Sequence, residues 1–355
     1  MSGRSDASSS FAIDGRAIGP NQPPYIIAEL SANHRGSIET ALDLIEAAAR
    51  AGAHAVKLQT YTADTMTLDH DGPDFVIQSG PWQGRRLYDL YHEAHTPWDW
   101  FPALFAKARA CGICCFSSPF DESAVDMLES LNAPAYKIAS FEMIDHPLIE
   151  RAARTGKPLI MSRGMATAEE IAEAVAVARD AGCRDLLLLH CVSGYPTPAE
   201  EINLASIPDL ARRFSTLVGL SDHTLGTAVA VASVALGAVA VEKHFIRRRT
   251  DGGPDAAFSI EPPELADLVD GTLTAWKALG HPSYTRKASE ASQVQLRRSL
   301  YIAADVKAGE ELTSVNLRSI RPGFGLSPKH LREVLGRRAV HDLTRGTPLR
   351  WEDLA

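Results

Sequence analysis

Eight short apolar runs, each closed by a polar side chain, alternate with stretches whose apolar residues recur at helical spacing. The runs are residues 25–29, 55–59, 114–118, 135–140, 158–162, 186–190, 217–223 and 240–244. Apolar strands separated by helices predict a parallel sheet covered by helices. Eight such units predict the α/β class, as a closed (β/α)8 TIM barrel, whose C-terminal strand ends converge on one face. That face collects Glu29, Lys57, Gln59, Ser118, Lys137, Ser140, Ser162, His190, Ser221, His223 and His244. Such a set suits an enzyme that binds an anion and a metal.

Residues 11–18 predict a hairpin turning at Asp14-Gly15 and plugging the bottom of the barrel. The first helix is expected over 37–51, with Ile38, Ala41, Leu42 and Ile45 on its apolar face, Ser37 as N-cap and Gly52 as stop. The segment 61–100, with Trp82, Arg85, Arg86, Tyr88 and Tyr91, exceeds an ordinary connection. It predicts an insertion on the catalytic face, where loops set substrate choice, with 87–91 as an added packing helix. Past residue 281 the rhythm stops. The expected organisation is a flexible N-terminus and hairpin (1–24), a barrel (25–281), a linker (282–297) and a small loop-rich β domain (298–355).

Composition narrows the partners. A net charge of −8 argues against nucleic acid and acidic membrane surfaces. No apolar run approaches a membrane span, and residues 1–10 lack the features of a signal peptide. Five cysteines, an odd number, suggest reduced thiols and a cytoplasmic protein; Cys111, Cys114 and Cys115 suit packed thiols better than a zinc knuckle.

His223 and His244 close neighbouring strands, so their imidazoles can share a divalent ion, or each can simply cap the core. Lys57 and Lys137 sit in apolar strands, where they can meet phosphate or carboxylate oxygens, form a Schiff base, or pair internally with Glu29 or Glu142. Ser118, Ser140, Ser162 and Ser221 suit an oxygen cage. Glu29 can act as a base, hold a substrate hydroxyl, or neutralise Lys57. Ser221-Asp222-His223 is no hydrolase triad, because consecutive strand residues alternate faces.

These residues lie in stretches that resemble the sialic acid synthase family: Ile26-Ile27-Ala28-Glu29, Lys57-Leu58-Gln59-Thr60-Tyr61-Thr62, Phe116-Ser117-Ser118-Pro119-Phe120, Tyr136-Lys137-Ile138-Ala139-Ser140-Phe141-Glu142, Tyr195-Pro196-Thr197, Gly219-Leu220-Ser221-Asp222-His223-Thr224 and Glu242-Lys243-His244-Phe245. Arg298-Ser299-Leu300-Tyr301 and Arg321-Pro322-Gly323 resemble its C-terminal antifreeze-like (SAF) domain. Residues 61–68, 87–91 and 321–329 are most similar to the pseudaminic branch. The resemblance implies condensation of phosphoenolpyruvate with an N-acetylated sugar, here a 6-deoxy-2,4-diacetamido altrose. N-acetylmannosamine and the legionaminic acid precursor are alternative acceptors. It also implies manganese or magnesium on His223 and His244, with Lys57, Lys137, Ser118, Ser140, Ser162 and Ser221 around phosphoenolpyruvate and Gln59 in support. Glu29 and Glu142 would serve as acid or base. Ser193, Tyr195, Asp255 and Arg321 would face the sugar. A homodimer would place each C-terminal domain over its partner's barrel. Two departures stand out: Ser162-Arg163-Gly164 replaces a Ser-Thr-Gly run, and Ser193 replaces an Asn, which weakens the N-acetylmannosamine reading. The rivals are a related phosphoenolpyruvate–aldose synthase, a metal-dependent aldolase, and a catalytically silent sugar-binding protein.

Overall fold

In the computed structural model, which describes residues 10–80 and 82–355, the chain divides into two compact units at Gly280 and His281. The expected flexible start falls almost wholly on residues 1–9, outside the described residues. Among the described residues no helix is long and apolar enough to cross a membrane.

The first unit opens with a hairpin, β1 (Phe11–Ile13) and β2 (Arg16–Ile18). Asp14 and Gly15 both take positive φ, the geometry a two-residue turn needs to match strand twist. Eight parallel strands follow: β3 (Tyr25–Glu29), β4 (Ala55–Thr60), β5 (Cys114–Pro119), β6 (Tyr136–Ile138), β7 (Leu159–Ser162), β8 (Leu186–Cys191), β9 (Leu217–Asp222) and β10 (Ala240–His244). They close into a barrel in which β10 pairs with both β9 and β3.

Side-chain alternation sorts each strand into two faces. Ile26, Ala28, Val56, Leu58, Ile138, Met161, Leu188, Leu220 and Val241 pack outward in one core with the helices. Tyr25, Ile27, Ala55, Phe116, Ile160, Leu187, Leu217 and Ala240 cluster inside with Phe11, Ile13 and Ile18 of the hairpin, which thereby plugs the N-terminal end. The interior is tight: a Cβ on Gly219 would lie 2.6 Å from both the Ala240 carbonyl oxygen and a Leu189 methyl. Apolar filling below leaves only the opposite mouth for polar chemistry.

The first helix, Ile38–Arg50, starts where Ser37 Oγ accepts from the Thr40 amide (3.2 Å). Its buried stripe is Ala41, Leu44, Ile45 and Ala48, rotated from the expected one so that Ile38 and Leu42 stay partly exposed. The small alanines let this stripe, rather than the bulkier one, lie closest to the strands. The insertion contains the helix Leu87–Ala94, with Leu90 buried.

The second unit pairs β11 (Ser299–Ile302) with β12 (Leu317–Ile320), antiparallel, around a small core that includes Leu300, Ile302, Val306, Leu312, Leu317 and Leu349. It begins with a run of 3₁₀ turns, Ala288–Leu296. The turn after β12 is pinned by Ser299, whose hydroxyl donates to the Pro322 carbonyl (2.7 Å) and accepts from the Gly325 amide (2.9 Å).

Candidate active site

The inward face continues upward from the plug into charged residues. Lys57 Nζ lies 2.6 Å from Glu29 Oε2 and 3.6 Å from Glu242 Oε1, and donates to Ser118 Oγ (3.2 Å). Lys137 Nζ lies 3.4 Å from the same Glu242 oxygen, which also accepts from Ser221 Oγ at 3.3 Å. Gln59 donates to Glu29 Oε1 (3.0 Å). Two ammonium groups thus stand on the mouth floor, held by carboxylates from two neighbouring strands. Burial would penalise the Glu242 carboxylate, but Lys137 and Lys57 together hold its pKa below the ordinary range. Burial raises Glu29 to about 7 against the opposing pull of Lys57, a range suited to proton transfer near neutral pH.

A ring of polar and aromatic groups rises above this floor. The His223 and His244 rings lie 5.4 Å apart between centroids. His223 Nδ1 faces the Val192 carbonyl (2.9 Å), which selects the tautomer with its lone pair on Nε2. Among the described residues His244 Nδ1 is buried without a hydrogen-bond partner, and it sits 3.8 Å from Asp255 Oδ2. Burial, reinforced by His223, holds the His244 pKa well below its usual value, so the imidazole is neutral. Burial works against a charged His223, but neighbouring Cys191 raises its pKa above the usual value, so the two imidazoles fit a divalent cation once His223 has lost its proton. Among the described residues no set of three or more His, Cys, Asp or Glu converges for a metal. Asp255 accepts from the Ser31 hydroxyl, and Gln59 reaches Ser31 Oγ at 3.4 Å. Tyr195 packs on His223 (4.4 Å between ring centroids).

The serines divide. Ser118 and Ser221 join the floor. Ser140 Oγ donates to Cys191 Sγ at 3.5 Å. Among the described residues Ser162 and Ser193 keep buried hydroxyls without partners. Gly164, at φ 41°, lets the strand-end loop run against the other serines: a Cβ there would meet Ser140 Oγ at 2.7 Å and Ser193 Oγ at 2.8 Å. Glu142, on the turn after β6, also has a buried oxygen without a partner among the described residues. Arg321 belongs to the second unit, exposed just beyond β12.

Alternation explains the departures from expectation. His190 does not join the mouth. It faces outward, donates through Nε2 to the Ile202 carbonyl, and accepts on Nδ1 from Arg163 (3.1 Å). Arg163 is thereby an outward anchor rather than an added cation of the mouth. Cys191, one residue on, takes the inward place. Asp222 also faces outward, 2.7 Å from the fully buried Lys243 Nζ, which removes the triad geometry. Lys137 pairs with Glu242 rather than Glu142. Glu242 itself is the floor residue that the sequence reading passed over, although its signal was present: it lies two residues before His244, on the same face. No disulfide forms; all five cysteines are free thiols.

Burial raises the Glu142 carboxyl to about 7. A carboxyl raised above its unfolded value favours folding at low pH, and that contribution is lost as pH rises through about 7. Glu142→Gln, neutral throughout, should be more stable than wild type at pH 8 by on the order of 1 kcal/mol and indistinguishable from it at pH 5. Denaturant titrations at the two pH values check this. A difference independent of pH would contradict it.

Comparison with known proteins matches residues 44–284 to the NeuB family and residues 297–355 to the SAF domain. The chain is 43% identical over 329 residues to a pseudaminic acid synthase of Campylobacter jejuni, covering 93% of this chain and 96% of that protein. It is 43% identical over 335 residues to a pseudaminic acid synthase of Helicobacter pylori, covering 94% and 98% respectively. Among solved structures, the N-acetylneuraminic acid (sialic acid) synthetase of Leptospira borgpetersenii, in complex with citrate, superposes with a TM-score of 0.72. It is 34% identical and covers 81% of this chain and 95% of that one.

Proposed function

The chain belongs to the NeuB family and ends in a SAF domain, and on that premise we propose that it is a pseudaminic acid synthase. It condenses phosphoenolpyruvate with 2,4-diacetamido-2,4,6-trideoxy-altrose and water, releasing phosphate. The observation that carries the reading is the Lys57–Glu29–Glu242–Lys137 floor beneath the paired imidazoles of His223 and His244, in a chain 43% identical to pseudaminic acid synthases over nearly its full length.

The enol methylene carbon forms the new bond to the acceptor's aldehyde carbon, and the aldehyde oxygen takes up a proton. Water adds to the former enol carbon, losing a proton to a base. The new hydroxyl then gives up its proton as a C=O bond forms, and the carbon–oxygen bond to phosphate breaks, so that phosphate leaves with that oxygen. Lys57 and Lys137 meet the phosphate and carboxylate charge in a site sheltered from bulk water, where fixed cations act most strongly. Ser118, Ser140, Ser162 and Ser221 supply further donors. Glu29, poised near neutrality, exchanges protons near the aldehyde, with Glu142 as the second acid or base. Gln59 supports the phosphoenolpyruvate set, Asp255, Tyr195 and Ser193 orient the sugar, and fixing both reactants in register lowers the entropic barrier. His223 and His244 would hold manganese or magnesium, which supplies Lewis-acid polarisation of a carbonyl oxygen.

The proposal includes the homodimer in which each SAF domain covers its partner's barrel. Exposed apolar side chains on the mouth loops, Leu68, Phe141, Ile144, Met165 and Leu225, support such a cover, as does exposed Phe324 close to Arg321. Arg321→Ala should raise the KM for the sugar roughly tenfold or more, as expected for a lost charged hydrogen bond, with little change for phosphoenolpyruvate. Equal losses for both substrates would remove Arg321 from the sugar site. Buried free thiols support a reducing, cytoplasmic setting.

The test is phosphate release from phosphoenolpyruvate with manganese, offering the altrose-configured diacetamido sugar and N-acetylmannosamine in parallel. Release with the former alone is expected. Release with N-acetylmannosamine alone would keep the chemistry and overturn the acceptor. Release with neither would overturn both.

A further inference from the structure

The mouth joins a polar chain to an aromatic cluster. Glu29, Gln59, Ser31 and Asp255 form a continuous polar chain whose Asp255 end lies 3.8 Å from His244. From there aromatic rings adjoin one another: Phe258 lies 4.9 Å from His244 and Tyr195 lies 5.2 Å from Phe258, between centroids. Trp82 extends this cluster, 5.9 Å from Tyr195. Trp82 is contributed by the long insertion after β4, and its indole N–H donates to the Pro254 carbonyl (3.3 Å), on the loop after β10. The anchor spans two loops and leaves the ring half-buried against Tyr195, with its polar atom already satisfied.

A sugar whose C6 is a methyl group has one end that gains from such a surface and a body that needs hydrogen bonds. We propose that Trp82, with Tyr195, forms the apolar wall that receives the C6 methyl of the acceptor, and that this wall determines the preference for a 6-deoxy sugar over one with a C6 hydroxyl. The inference rests on the reading of the enzyme as a synthase acting on a 6-deoxy acceptor. It assigns a specificity role to a residue that takes no part in bond making. An apolar wall rejects an added hydroxyl by at most about a hundredfold, because water can follow the hydroxyl in. The discrimination should therefore be moderate and should reside in this wall.

The experiment measures kcat/KM for the altrose-configured deoxy sugar and for its 6-hydroxylated analogue, with saturating phosphoenolpyruvate, in wild type, Trp82→Ala and Trp82→Phe. Wild type should prefer the deoxy sugar. Trp82→Ala should erode that preference roughly tenfold while leaving the KM for phosphoenolpyruvate unchanged. Trp82→Phe, which keeps an aromatic face but loses the N–H anchor, should retain most of the preference. An unchanged ratio in Trp82→Ala overturns the proposal. So does Trp82→Phe losing as much as Trp82→Ala, since the anchor and not the apolar face would then matter. Wild type preferring the hydroxylated sugar overturns the wall but keeps the synthase, whereas turnover of neither sugar overturns both.

Discussion

Lys57→Ala will lose stability and turnover together, and the stability loss will grow with pH. Lys57 is buried, and its removal leaves Glu29 without the ammonium 2.6 Å away and Glu242 with Lys137 alone. Deleting one partner of a buried pair costs about 3–5 kcal/mol, because the remaining charge stays out of water. Glu29, already raised to about 7, would rise further without its cation. A raised carboxyl favours folding below its unfolded value and loses that contribution as pH rises. The variant's deficit should therefore be small near pH 5 and large near pH 8. In activity, a fixed cation facing developing phosphate charge is worth about two to three orders of magnitude in kcat. Denaturation at the two pH values, alongside phosphate-release kinetics, measures both. Activity within a few-fold of wild type would mean that the floor is a structural ion pair, the plainest of the readings open from the sequence.

The second large effect concerns His244. Its Nδ1 is buried and without a partner among the described residues, its ring is neutral, and its strand makes it a neighbour of His223. His244→Ala should weaken binding of manganese at least a hundredfold, judged from loss of one ligand of a small ligand set. It should lower kcat by about three orders of magnitude, or roughly 4 kcal/mol, while the melting curve changes little. Chelation should silence wild type, and added manganese should restore it. Binding followed directly by the paramagnetic signal of the free ion separates loss of metal from loss of fold. Full activity in His244→Ala, or unaltered manganese binding, would remove the metal from these imidazoles.

How much of this was legible in advance depends on distance along the chain. The hairpin turn at Asp14-Gly15 and the Ser37 cap involve neighbours in sequence, so local stereochemistry announces them. The eight strand ends could be read because each apolar run stops at a polar residue, and a barrel brings those stops to one face. His190 and Glu242 show where that logic falls short. Polarity at a strand end does not say which face a residue takes, and a one-residue difference exchanges mouth for exterior. His190 lies one residue from Cys191 and is lost to the outer layer. Glu242 lies two before His244 and is brought to the floor.

The chain by itself therefore determined the repeating βα rhythm, the closed barrel it implies, the loop-rich domain that follows, and nearly the whole cast of residues at the mouth. These follow from periodicity and from short motifs, which are local properties. Only the tertiary structure decided the pairing: Lys137 with Glu242 instead of Glu142, Arg163 with His190 on the outer side, and Trp82 beside Tyr195 across more than a hundred residues of chain. Ion pairs and ring contacts depend on separations of a few ångströms between strands and loops remote in sequence. Those separations are set only when the barrel closes.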